Sequence, residues 1–289
     1  MKTKKKSHKR SSSSARNHVK RSKTTKKGIR VLFSNKGSII TGAVIVAAVL
    51  FVSVLVIRLD NTASALSRPN RALIYGDSLT WESQKDITKG FAGNKTWFHK
   101  VIATPNTGPC NWLQTLPSNI KKFQPNVIVL TTVGDSGSTC MRGLTQGTAA
   151  YYNKYQSDLN TFFAESTAAG AKVVFIEGPP MLNATWNSAV SQIEQIAANL
   201  ATKYTGVSIS TGPRLAVSNN GVYTSYLPCL SSETAADGCV NGQIAVRTIT
   251  GIQTGVHFCP VGLTPRKCAT YSSGEVRFGE AIAKTVLAV

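Results

Sequence analysis

From residue 70 onward the chain alternates short, continuous apolar runs with longer stretches whose apolar positions recur every three or four residues. The run 72–75 closes at Gly76 and predicts a short strand. The run 126–132 (NVIVLTT) is unbroken and rich in β-branched residues, as a strand buried on both faces should be. Residues 172–177 (KVVFIE) predict another such strand, stopped by Gly178-Pro179-Pro180, and 207–210 predict a fourth. Helical spacing occupies 110–123, 149–169, 184–204 and 274–287. Strands separated by helices need crossover connections, which predicts a parallel sheet covered on both faces, an α/β three-layer sandwich. Ligands of such folds sit at the carboxyl ends of the strands. The stretch 211–270, rich in Gly, Thr, Ser and Cys, predicts long loops over that edge.

Ahead of this domain the pattern changes. Residues 37–57 (GSIITGAVIVAAVLFVSVLVI) hold 21 positions without a charge. About 20 helical residues cross a hydrocarbon core, so the run predicts a transmembrane helix. The chain then divides into a basic, disordered tail at 1–36, a span at 37–57, a linker at 58–69 and a globular domain at 70–289. The formal charge of +20 suggests a nucleic-acid binder only until it is located. Residues 1–37 carry 14 Lys and Arg and no acid, which leaves 19 basic and 13 acidic residues for the rest. The excess belongs to the tail, where it keeps that end cytoplasmic, exports the domain and contacts anionic lipid. No specific nucleic-acid partner is predicted. Ala63-Ser64-Ala65 offers a small-residue cleavage motif. The long apolar run and long tail favour an uncleaved anchor in the plasma membrane with the domain outside.

Six cysteines, Cys110, Cys140, Cys229, Cys239, Cys259 and Cys268, all follow the span. An even number in an exported domain predicts disulfides, with 15 pairings open. Spacing favours Cys229–Cys239 and Cys259–Cys268 as local loops, leaving Cys110–Cys140. No cysteine or histidine cluster has metal-ligand spacing, and no cofactor is predicted.

The first strand ends in Gly76-Asp77-Ser78-Leu79-Thr80. A serine where a strand turns into a helix is presented at the sheet edge beside free helical N–H groups, a setting for a nucleophile and part of an oxyanion hole. Near the other end stands Gly255-Val256-His257-Phe258-Cys259-Pro260. His257 and His99 are the two histidines beyond residue 69. Each motif alone has an ordinary structural reading, a helix cap and a packed histidine. Four tryptophans, Trp81, Trp97, Trp112 and Trp186, suit core packing better than sugar stacking, Trp81 excepted.

Taken together, the motifs over residues 70–289 resemble the SGNH/GDSL serine hydrolases. GDSLT at 76–80 corresponds to the nucleophile block. Gly108, in NTGPCNW at 106–112, fits the second block, Gly134-Asp135 falls on the third, and His257 fits the last. The run PCNWL at 109–113, Cys140-Met141 and the stretch 255–279 resemble most a bacterial, membrane-anchored envelope subgroup. The resemblance implies a flavodoxin-like SGNH hydrolase fold and acyl transfer. His257 would take the proton of Ser78, and the N–H groups of Ser78 and Gly108 would hold the oxyanion.

Two positions depart from that pattern. Asp135 stands where an asparagine donor is expected, and an ionised carboxylate donates nothing. Thr254 stands where the imidazole-orienting aspartate is expected, three residues before His257. No acid lies between Asp237 and His257, so a replacement is expected from a distant loop. Losing the triad charge costs about 10⁴ in rate and losing one oxyanion donor about 10²–10³, together about 10⁶. The sequence therefore supports two functions. One is a membrane-anchored serine esterase or O-acyltransferase acting on an acylated envelope glycan or related small ester. The other is a catalytically degenerate domain that binds an envelope glycan or protein.

Overall fold

The computed structural model describes residues 69–247, 255–258 and 273–289. The expected tail, the expected span at 37–57, nearly all of the linker, Thr254, Cys259 and Cys268 lie outside the described residues. Among the described residues no helix is long and apolar enough to cross a membrane.

Five strands form one parallel sheet: β1 (Asn70–Gly76), β2 (Trp97–Ala103), β3 (Val127–Thr131), β4 (Lys172–Ile176) and β5 (Val207–Ser210). Their order across the sheet is β2-β1-β3-β4-β5. This is the doubly wound, flavodoxin-like order, whose switch point lies between β1 and β3. The architecture agrees with the α/β sandwich read from the sequence. The switch point is also where the turn of Ser78 and the loop of Asp135 emerge, because they follow β1 and β3.

The two-residue period of the strands sorts the core into layers. Leu73, Tyr75, Ile128, Leu130, Val173 and Phe175 face one side, against α2 (Pro109–Leu113), α3 (Leu116–Phe123), α4 (Ala149–Ala168) and much of α5 (Ala184–Ala201). Ala72, Ile74, Val127, Val129, Val174 and Ile176 face the other. There α1 (Ser78–Phe91) and α7 (Ser273–Leu287) cover the sheet with Ile87, Phe91, Phe278 and Ile282.

Three local expectations differ from the structure. The helical stretch 110–123 is two helices, α2 and α3, separated at Gln114-Thr115. Pro117 lacks an N–H and fits only the first turn of a helix, so a new helix begins there. Strand β2 was not read from the pattern because it is a half-exposed edge, with Phe98 55 % accessible. The region expected as loops holds a short helix α6 (Gly212–Ala216) and an antiparallel pair, β6 (Tyr226–Pro228) and β7 (Gln243–Ala245). Cys229–Cys239 closes the loop between β6 and β7, and Cys110–Cys140 fastens α2 to the turn Thr139–Met141.

Candidate active site

Strand β1 passes into α1 through Gly76 and Asp77. A Cβ at position 76 would collide with the Thr80 and Thr131 side chains, whose hydroxyls are hydrogen-bonded to each other. Only glycine lets β1, β3 and α1 meet this closely. Asp77 is fully buried and caps α1, its Oδ1 accepting the Leu79 N–H at 3.1 Å. Its Oδ2 accepts the Val133 N–H at 2.7 Å, just beyond β3. One carboxyl group thus ties the turn of Ser78 to the loop that carries Asp135. Ser78 opens the first turn of α1 with 7 % of its surface accessible.

The histidine segment reaches the same helix. His257 Nδ1 lies 2.5 Å from Glu82 Oε1, an ion-pair contact whose angle departs from a straight hydrogen bond. The other carboxylate oxygen, Oε2, accepts the Phe258 N–H at 3.0 Å. Glu82 is four residues after Ser78, so both project from one face of α1. Behind them the fully buried Arg247 places its guanidinium 4.9 Å from the centre of the Phe258 ring. The carboxylate in contact with His257 therefore stands on the helix of Ser78, whereas the sequence pointed to a distant loop. The i, i+4 spacing to Ser78 was the available signal, but only the return of residues 257 and 258 to α1 gives it meaning.

Electrostatics around the imidazole are dominated by carboxylates. Burial works to lower the His257 pKa, but the contact with Glu82 and the charges of Glu82, Asp77 and Asp135 outweigh it and leave the imidazole above its ordinary value. Burial, and then the neighbouring Asp135, push Asp77 up to about 8. Burial likewise pushes Asp135 up to about 6, against the lowering effect of His257.

The expected oxyanion donors are less complete. Gly108 caps α2, and its N–H donates to Asn111 Oδ1 at 3.0 Å, so that hydrogen bond must open before the group can serve a substrate. The Asp135 carbonyl accepts the Tyr155 hydroxyl at 2.9 Å, and the Gly134 carbonyl accepts the Tyr151 hydroxyl at 2.6 Å. Gly134 takes φ +84°, and a Cβ there would press on Tyr151 and Ile193. Asp135 Oδ2 is shut off from solvent and has no hydrogen-bond partner. Among the tryptophans, Trp112 lies in the core and Trp97 and Trp186 pack against it, whereas the half-buried Trp81 belongs to neither core layer. Among the described residues no group of His, Cys, Asp and Glu is arranged to hold a metal ion.

The family model described as "Protein of unknown function (DUF459)" matches residues 71–237. None of the curated proteins compared with the chain matches it. Solved structures with similarity include a carbohydrate acetylesterase from Sinorhizobium meliloti, with a TM-score of 0.44, 11 % identity and coverage of 76 % of this chain and 99 % of that one. A psychrotrophic esterase from Pseudoalteromonas sp. has a TM-score of 0.37 at 18 % identity, covering 49 % of this chain and 77 % of that one. A catalytic mutant of an acetylxylan esterase from Geobacillus stearothermophilus has a TM-score of 0.41 at 9 % identity, covering 51 % of this chain and 77 % of that one. Scores of this size assign no activity.

Proposed function

The chain belongs to the DUF459 family, and from that premise and its own site geometry we propose that it is an SGNH-type serine esterase or O-acyltransferase. The observation that carries the proposal is the placement of Glu82 against His257 on the same helix as Ser78. A carboxylate on Nδ1 orients the ring and leaves Nε2 to act on Ser78. In this mechanism Nε2 takes the Ser78 hydroxyl proton as Oγ bonds to the ester carbonyl carbon. The N–H groups of Ser78 and Gly108 hold the oxyanion, and the imidazolium returns the proton to the leaving alcohol. Water, or a second alcohol, then releases the acyl group by the reverse sequence. Glu82 offsets the factor of about 10⁴ that Thr254 alone would forfeit, leaving about 10²–10³ for the donor missing at Asp135. A deficit of that size leaves room for an enzyme.

In this reading residues 37–57 anchor the domain on the outer side of the plasma membrane, supported by the basic charge ahead of them. The substrate is an ester of a cell-envelope glycan or a related small ester, supported by the sequence resemblance. A second reading, a binding module with idle machinery, is favoured by the engaged Gly108 N–H and by the Asp135 carboxyl.

Labelling by a fluorophosphonate probe separates the two. The full-length protein is expected to form a covalent adduct that Ser78→Ala and His257→Ala both abolish. A folded, disulfide-intact protein that takes no label has no activated serine, and the binding-module reading then stands.

A further inference from the structure

We propose that the acyl group of the substrate carries an ammonium on the carbon next to its carbonyl, and that Asp135 is the residue that receives it. The inference rests on the serine-esterase reading and deepens it.

Asp135 Oδ2 is sealed from water without a hydrogen-bond partner, while the same residue's carbonyl is engaged by Tyr155. A mostly buried carboxyl group that makes no hydrogen bond or ion pair is costly to keep. Because Asp135 as a whole is only half-buried, its other oxygen, Oδ1, remains open to a donor brought to the site. Among the described residues no basic side chain does so, since Asp135 takes part in none of the ion pairs. Its ionisable neighbours are His257, Asp77, Tyr151 and Tyr155. The two tyrosine hydroxyls donate to the Gly134 and Asp135 carbonyls, and His257 is committed through Nδ1 to Glu82. The missing partner is therefore a donor, and a positively charged one is favoured where three carboxyl groups, Asp77, Glu82 and Asp135, surround a single imidazole.

Position selects the acyl side of the ester. The Asp135 carbonyl oxygen lies 3.9 Å from where a Cβ on Gly108 would stand, so Asp135 neighbours the N–H assigned to the oxyanion. A free carboxylate there repels the charge that develops on the carbonyl oxygen. An ammonium two bonds from the carbonyl carbon reverses this, because it donates to Asp135 and lies beside the oxyanion at the same time. The substrate then supplies the positive charge that the third block of this chain lacks. Bond making is unchanged: Ser78 Oγ displaces the alcohol, the aminoacyl group rides on Ser78, and water or an acceptor alcohol removes it, with no redox partner required.

The test compares glycine and propionate esters of one alcohol, which differ by an ammonium in place of a methyl group, using the full-length protein and Asp135→Asn. The wild type is expected to favour the glycine ester in kcat/KM by about ten- to hundredfold, the range of a charge-assisted hydrogen bond. Asp135→Asn is expected to lose that preference and to gain on the propionate ester, because the amide donates to the oxyanion without repelling it. Equal kcat/KM values in the wild type, or a preference that survives Asp135→Asn, overturn the proposal. Should the variant fail to fold, the wild type alone decides. Its preference is expected to shrink as pH falls through about 6, where Asp135 takes up a proton, and a preference independent of pH counts against Asp135. Fluorophosphonate labelling of Ser78 runs in parallel. Labelled protein without the preference defeats this proposal alone, whereas protein that neither labels nor turns over either ester defeats the esterase reading beneath it.

Discussion

Glu82 is the residue on which the enzymatic reading turns. Its side chain is 2 % accessible, and both oxygens are used, one on His257 and one on the Phe258 N–H. Exchange for glutamine keeps the shape and removes the charge. In a serine protease the equivalent exchange costs about 10⁴ in kcat, and Glu82→Gln is expected to lower ester turnover by about 10³–10⁴. The pH profile moves as well. A general base works only when unprotonated, so the raised His257 places the acidic limb of kcat/KM above the ordinary histidine range. Without the Glu82 charge the imidazole loses the largest of the contributions that raise it, its pKa falls and the limb moves to lower pH. Glu82→Gln that retains both the rate and the limb would show that the contact is packing and not catalysis.

The helix that carries Ser78 and Glu82 is held in place by another helix, and their contact tolerates almost no volume. At Gly279 of α7, a Cβ would come within 2.8 Å of the Ile87 nitrogen and the Ser83 carbonyl oxygen of α1. At Gly90 of α1 it would come within 2.5 Å of Ala283 on α7. Backbone on one side and side chain on the other leave the pair no way to adjust except by separating. Gly279→Val is therefore expected to destabilise the protein by about 1–3 kcal/mol, the usual penalty of overpacking, read as a lower urea midpoint. Because Ser78 moves with α1, fluorophosphonate labelling is expected to slow in the same variant. An unchanged midpoint would mean that the helices part without loss. Gly279 thus bears on the position of Ser78, about two hundred residues earlier in the chain.

Across the molecule, burial outweighs pairing for most of the perturbed carboxyl groups. Asp77 is pushed up to about 8, Asp135 to about 6, and Glu194 and Glu275 each to about 7, in every case chiefly by burial. Glu233 goes the other way. Burial tends to raise it, but hydrogen bonds from Arg277 and Ser273 hold it low, with Arg277 Nη2 only 2.5 Å away. A carboxyl whose folded pKa is raised binds its proton more tightly in the native state. The stability it contributes is complete below the unfolded value near 4 and is lost as pH rises through the folded value. Glu233 adds stability above its unfolded value, but its lowered pKa places that dependence below the window of the other four. Stability is therefore expected to fall between about pH 4 and pH 8, with a urea midpoint higher at pH 5 than at pH 8. A midpoint that is flat or rises across that range would contradict the burial of these groups.

Three of the five strands in the parallel sheet, β1, β3 and β4, were legible in the amino-acid pattern because they are buried on both faces. The edge strand β5, none of whose residues is fully buried, was legible from its place after a long helical stretch. An unbroken run such as VIVLT at 127–131 has no other stable place. The four long helical stretches were legible by period, and the sheet followed from their alternation with strands. Edge strand β2, the break at Pro117 and the β6–β7 pair were not. An edge is half wet, a proline sets a boundary only against its neighbours, and short strands show themselves only when paired. Ser78, Gly108, Asp135 and His257 could be nominated from motifs alone, since each block is local in the chain. Their assembly could not. Phe258 and Glu82 are 176 residues apart, and nothing at either position announces the other. A carboxylate on a helix is ordinarily a solvated group. What made Glu82 a partner for His257 was the folding of a distant loop onto α1, which shut Glu82 off from water and brought the partly accessible imidazole against it.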